Sequence, residues 1–290
     1  MIEPSRRFLV TTAVAGVFLY AILSIAVAVR MLDTADLRLH AWVVQNMDNE
    51  ILGMRWSVIT AVGGGTVSTL IVAAAAFLAW RSGAAKTAVV IVAVSIAGGI
   101  LVDGFKDLHG RPYPSGGHFV VVTAPGGACP EGSRCDVRPE GNASVYCPPG
   151  SRCNFYAQGA NGTYGETANT TWIPSALDTF PTRAGRAYPS GHTMGATLSW
   201  GLALILGTRA VQRRHELDPW AIAAWGAVAL LGGISRIPVH AHWWTDVVAS
   251  WFLGVALLAL GILLDDWWKA RAGKAAGEIG SSIPPSPPES

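Results

Sequence analysis

The stretch SRIPVHAHWWTDVVASWFLGVALLALGILL, Ser235 to Leu264, sets a polar cluster directly before an apolar run. From Trp243 onward the run has the length that crosses a bilayer core and is broken only by Asp246. Ahead of it, Ser235 to Asp246 gathers a hydroxyl, a guanidinium, two imidazoles and a carboxylate in a chain otherwise dominated by Ala, Val, Leu and Gly. An ionised Asp within an apolar helix costs about 2.5 to 3.5 kcal/mol on insertion scales, so Asp246 calls for a partner or a task. If the chain is helical from Trp243, His242 and Asp246 stand four residues apart on one face, and the carboxylate can hold one ring nitrogen and aim the other. An imidazole held in that way is prepared as a nucleophile or base. The plainer reading of the same residues is a polar helix start at the membrane surface.

Composition supports a membrane protein. Of 290 residues, 51% are hydrophobic and 14% charged, whereas a soluble domain carries about a quarter charged residues. A net charge of +2, with no basic run interleaved with aromatics, excludes polynucleotide binding. The expected fold is an all-α integral membrane protein with six transmembrane helices, over Leu9 to Val29, Trp56 to Trp80, Thr87 to Val102, Thr193 to Gly207, Trp220 to Ile234 and Trp243 to Leu264. The run Gly63-Gly64-Gly65 is expected to admit a neighbouring helix at close range. Residues 31–55 read as an amphipathic helix in the interface, and the chain from Lys269 as a disordered tail. With six spans, Arg6 and Arg7, Arg81 and Lys86, Arg209 to Arg214, and Lys269 to Lys274 share one face, which the positive-inside rule makes cytoplasmic. Both termini are then inside. Lys106, Ser190 and His242 share the opposite, extracytoplasmic face.

Between spans three and four, residues 110–188 form a Gly-, Pro-, Asn- and Thr-rich insertion that is too polar to span. It holds all four cysteines, in the repeat Cys129-Pro-Glu-Gly-Ser-Arg-Cys135 and Cys147-Pro-Pro-Gly-Ser-Arg-Cys153. In an oxidising compartment these read as two disulfides of open connectivity. Zinc is the alternative, disfavoured because the five-residue gaps are wider than the usual two to four.

Tyr188-Pro189-Ser190-Gly191-His192-Thr193 precedes the fourth span. A serine and the free amides of a glycine-containing helix start form an anion site for which phosphate is a natural guest. The alternative is a simple serine N-cap. His192 also gains a partner in His242 across the site, one imidazole to attack and one to protonate a leaving oxygen.

These segments resemble the three motifs of the type 2 phosphatidic acid phosphatase superfamily: Lys-x6-Arg-Pro, Pro-Ser-Gly-His and Ser-Arg-x5-His-x3-Asp. The second matches at Pro189 to His192 and the third at Ser235, Arg236, His242 and Asp246. The six-span plan also resembles the membrane branch of that family. The resemblance implies that His242 attacks phosphorus to give a phosphohistidine, with Asp246 orienting it. His192 would serve as acid for the leaving group and then as base for water, while Lys106, Ser190, Gly191 and Arg236 bind phosphoryl oxygens. No metal or other cofactor is expected.

The first motif departs from the pattern, since seven residues beyond Lys106 stands Tyr113, followed by Pro114. Tyrosine brings no charge and no bidentate grip, so Arg111, Arg183 or Arg186 is a candidate to fill the gap. The implied activity is hydrolysis of a lipid phosphate or diphosphate, polyprenyl or glycerolipid, in the bilayer. A phosphotransferase using a lipid or sugar acceptor and a catalytically impaired lipid-phosphate-binding protein are the alternatives.

Overall fold

The computed structural model describes residues 4–33, 35–36, 39–40, 42–43, 50–111, 113–114, 123–124, 152–158, 164–171, 186–214, 216–239 and 241–281. The first helix, α1 (Arg6–Ala28), starts where the Ser5 side chain accepts the amide of Phe8. It buries Leu9, Ala13, Gly16, Tyr20 and Val27, a stripe at helical spacing, and leaves Phe8, Phe18 and Ile25 outward. Helices α2 (Glu50–Ala61) and α3 (Gly65–Arg81) meet at a 41° bend, and α4 (Ala85–His109) follows. Gly110 closes α4 at φ +57°, a left-handed conformation in which its amide bonds the Lys106 carbonyl.

After the insertion come α5 (Gly191–Gln212), α6 (Pro219–Ile234) and α7 (Trp244–Ser281). Asp218 caps α6, with Pro219 in the first turn where its missing amide is no loss. Helix α7 packs along α1 and against α4, so the first and last helices of the chain are neighbours. The contact is tight: a Cβ on Gly16 would stand 2.8 Å from the Phe252 carbonyl oxygen.

Among the described residues, α1, α4, α5 and α7 are long and apolar enough to cross a membrane, and the bent pair α2–α3 makes a fifth if counted as one span. The sixth expected span, α6, is apolar but has 16 residues, about 24 Å of helix. The second expected span is broken, because Val62, Gly63 and Gly64 interrupt it. The last helix runs to Ser281, past the expected start of disorder at Lys269; four alanines and two lysines there favour helix against three glycines.

Helix α5 is irregular. Gly195–Ser199 and Leu202–Gly207 have the wider π winding. Nearby carbonyls find indole donors: Trp225 Nε1 donates to the Thr197 oxygen at 2.7 Å, and Trp200 Nε1 donates to the Val62 oxygen at 3.0 Å.

The membrane part is all-helical, but the described part of the insertion contains strands that the all-α expectation lacks. They are β1 (Thr123–Ala124), β2 (Arg152–Gln158) and β3 (Tyr164–Thr171), antiparallel in the order β1-β3-β2. Their Thr, Tyr and Phe content suits a pleated surface. Cys129, Cys135 and Cys147 lie outside the described residues, and Cys153 is described only as a backbone position in β2, opposite Thr170.

Candidate active site

Three helix ends meet at one end of the bundle: the C-terminus of α4 with Lys106, the N-terminus of α5 with His192, and the turn into α7 with Arg236, His242 and Asp246. The Ser190 amide donates to the Asp246 carbonyl at 3.2 Å, tying the starts of α5 and α7 together. Ser190 itself is fully buried and caps α5, accepting from the Thr193 hydroxyl at 2.9 Å. At Gly191 a Cβ would stand 3.2 Å from Lys106 Nζ, so the missing side chain lets the ammonium lie against the helix start.

Asp246 organises the turn. It is the third residue of α7 and reaches back to accept the Trp243 amide at 2.9 Å, the acidic half of a capping box. His242 stands before the helix, not on it, and is placed instead by its backbone: the amides of Ala241 and His242 both donate to the Arg236 carbonyl. Its Nδ1 lies 3.4 Å from Asp246 Oδ2, an ion-pair distance that is long for a hydrogen bond. Burial pushes the His242 pKa down, with Asp246 opposing that effect and Arg236 and Lys106 adding to it. The ring is therefore neutral at neutral pH.

The other oxygen of Asp246 takes Arg111. Arg111 Nη1 donates to Asp246 Oδ1 at 2.7 Å and to the Thr245 hydroxyl at 2.6 Å, while Nη2 donates to Asp36 Oδ2 at 2.7 Å. Burial works against the charge on Arg111, but Asp246 and Asp36 outweigh it and hold its pKa above the ordinary value. Asp36 also accepts the Thr245 amide at 3.0 Å and the Thr245 hydroxyl, and burial pushes its own carboxyl up. Asp36, Arg111 and Asp246 thus form a buried triad behind His242.

Arg236 faces the same space. Its Nη1 donates to Thr60 at the end of α2 at 2.6 Å, and its buried Nε has no hydrogen-bond partner among the described residues. Burial lowers its pKa to about 10, so it stays charged at neutral pH. Lys106 and Arg236 both lie near enough to disfavour a proton on the His242 ring, and His192 follows the Gly191 that Lys106 lies against. His192 is seated by the glycine run: a Cβ on Gly63 would fall 2.3 Å from the His192 carbonyl oxygen.

The Tyr113 ring meets His242 edge-on at 5.5 Å, and its hydroxyl donates to the Arg186 carbonyl at 2.8 Å. The Arg186 side chain, half-exposed, pairs with Asp103 at 3.2 Å and Asp107 at 3.3 Å. Arg183 lies outside the described residues.

The sequence reading does not reach Asp36, and it quotes Tyr188 at the head of the Pro-Ser-Gly-His segment without giving it a role. Asp36, His40 and Val43 share the i, i+4, i+7 face of the stretch read as interfacial, and all three are buried. His40 lies edge-on to Trp243, while Val43 packs with Ile237 and Val247. The spacing of Asp36, His40 and Val43 on one helical face is the available signal. Tyr188 is fully buried, hydrogen-bonded to Ser24 at 2.7 Å, and locks the Pro-Ser-Gly-His segment to α1.

The PAP2 superfamily matches residues 84–270, a range that contains all three converging helix ends. A search among curated proteins gives no match. A solved structure is similar in fold: a transmembrane PAP2 type phosphatidylglycerolphosphate phosphatase from Bacillus subtilis. It shares 16% sequence identity, with a TM-score of 0.55 over 88% of this chain and 96% of that one.

Proposed function

The chain belongs to the PAP2 superfamily, and on that premise we propose that it is a six-span membrane phosphatase acting on a lipid phosphate or diphosphate at the extracytoplasmic face. The observation that carries the reading is the buried His242 backed by Asp246, beside an Arg236 whose buried Nε has no partner among the described residues. A phosphoryl group supplies the acceptor that this nitrogen lacks.

In this reading the Nδ1 of His242 carries the proton toward Asp246, leaving the Nε2 lone pair to attack phosphorus. The bond from phosphorus to the lipid oxygen breaks as His192 donates a proton to that oxygen. Lys106, Arg236 and the amides at the start of α5 neutralise the equatorial oxygens, which is most of what phosphoryl transfer requires. His192, now neutral, takes a proton from water. The hydroxide attacks the phosphohistidine, releases phosphate and returns His242 to its starting state. Arg111 positions Asp246 instead of gripping phosphate, and Tyr113 forms a wall beside the His242 ring. A polyprenyl or glycerolipid phosphate suits a site at the rim of a helical bundle.

The test is phosphate release from a panel of lipid phosphates, with EDTA present throughout. Wild type is expected to be active and His242→Ala inactive. Activity surviving the substitution would remove the phosphohistidine, and loss of wild-type activity in EDTA would remove the metal-free scheme.

A further inference from the structure

The opposite end of the bundle carries a second polar site that phosphoryl transfer does not use. A cavity of about 900 Å³ opens there, and its described lining sets Lys86, Arg209, Arg213, Arg214 and Lys269 against one carboxylate, Asp266. Along α4, Lys86 is twenty residues from Lys106, which is about 30 Å of helix, so a bilayer core separates this cavity from the histidines.

Arg209 makes the cavity a built site. The residue is 3% exposed; Nη2 donates to Asp266 at 2.7 Å, and neither Nε nor Nη1 has a hydrogen-bond partner among the described residues. Buried guanidinium nitrogens are rarely left so, because each unpaired donor costs about 1–3 kcal/mol. The neighbouring acid cannot serve them, since Asp265 is fully buried and already accepts Thr87 at 2.6 Å and Lys269 at 2.7 Å. Helix α4 begins at the same cavity with no side-chain cap and no acid in its first turn, leaving amide donors and the positive end of its dipole there. Retention of positive loops on one membrane face explains basic residues in water. It does not explain a buried arginine with two open nitrogens.

We propose that this cavity binds a phosphate-type anion, carried by an anionic lipid headgroup or free in solution, on the membrane side opposite the catalytic cluster. Arg209 and the start of α4 grip the oxygens, while Lys86 and Arg213 close the rim. The occupant is assigned as distinct from the substrate, because the described residues that line the cavity include no imidazole.

The test uses the full chain in phosphatidylcholine nanodiscs with two probes. Phosphatidylglycerol is mixed into the discs and its retention read by native mass spectrometry; inorganic phosphate is titrated and the Tm followed. Both probes can also enter the histidine site, so wild type is compared with Lys86→Ala/Arg213→Ala, which leaves that site intact and is expected to keep wild-type turnover. The expected result is an apparent affinity at least about tenfold weaker in the double variant for one probe, the size of one lost charged hydrogen bond. Loss confined to phosphatidylglycerol assigns the anion to a headgroup, and loss confined to phosphate assigns it to the free ion. Equal binding of both probes to the two proteins overturns the proposal, whatever the turnover. If the double variant does not fold, Arg213→Ala, at an exposed position, is read against the same criteria.

Discussion

Replacing Arg111 by alanine removes the cation that bonds two buried carboxylates, Asp36 and Asp246. An unpaired buried charge costs about 3–5 kcal/mol, so Arg111→Ala is expected to lower Tm markedly and kcat with it, while KM changes little. A variant of wild-type stability that binds substrate poorly would return Arg111 to the phosphate ligands. The pH profile probes His242 itself. Its folded pKa lies below the ordinary histidine value of 6.5, so the ring stays neutral down to a lower pH than a free imidazole and protonates only as pH falls further. The acid limb of kcat/KM is therefore expected below pH 6.5, and a midpoint at or above 6.5 would contradict the burial argument. Stability shifts in the same direction. The unfolded chain takes the proton first, so this group lowers stability as pH falls from 6.5 toward its folded pKa.

Among the helices, the bend between α2 and α3 can be tested by two adjacent substitutions. A methyl on Gly63 meets the His192 backbone, and one on Gly65 meets nothing within 4 Å among the described residues. Gly63→Ala is expected to destabilise by about 1–3 kcal/mol through overpacking and to impair turnover by shifting His192. Gly65→Ala is expected to be neutral or to stabilise by up to about 1 kcal/mol. Thermal unfolding in detergent separates the two, and equal effects would argue against the close approach. The close packing was legible in the Gly63-Gly64-Gly65 run, α1 and α4 in their unbroken apolar stretches, and α7 in a stretch broken only by Asp246. The motifs named the three helix ends that converge, but composition could not say that His242 precedes α7 or that Arg111 turns away from the phosphate space toward Asp36. Those depend on backbone bonds around Arg236 and on a carboxylate more than two hundred residues distant in sequence from Asp246. The π winding of α5 was invisible, because a nearly all-apolar segment shows no difference between four and five residues per hydrogen-bonded turn.

For the molecule as a whole, the six-span reading puts both termini and the basic loops on one face and the insertion on the other. In sealed right-side-out vesicles, added protease is expected to cut within 115–185 and to spare tags at either terminus. Cleavage of one terminal tag would reduce the spans to an odd number. The same layout makes α5 the element that joins the two polar ends, with His192 at its start and Arg209 near its finish. Each π segment inserts one residue into its turn, an offset of about 100° relative to a regular helix. The angular phase between the two ends is thus fixed inside the helix and not by the loops flanking it. Deleting one residue from 195–207 would leave one end keyed in place and swing the other by about 100°, turning either His192 or Arg209 out of its socket without touching a single charged group.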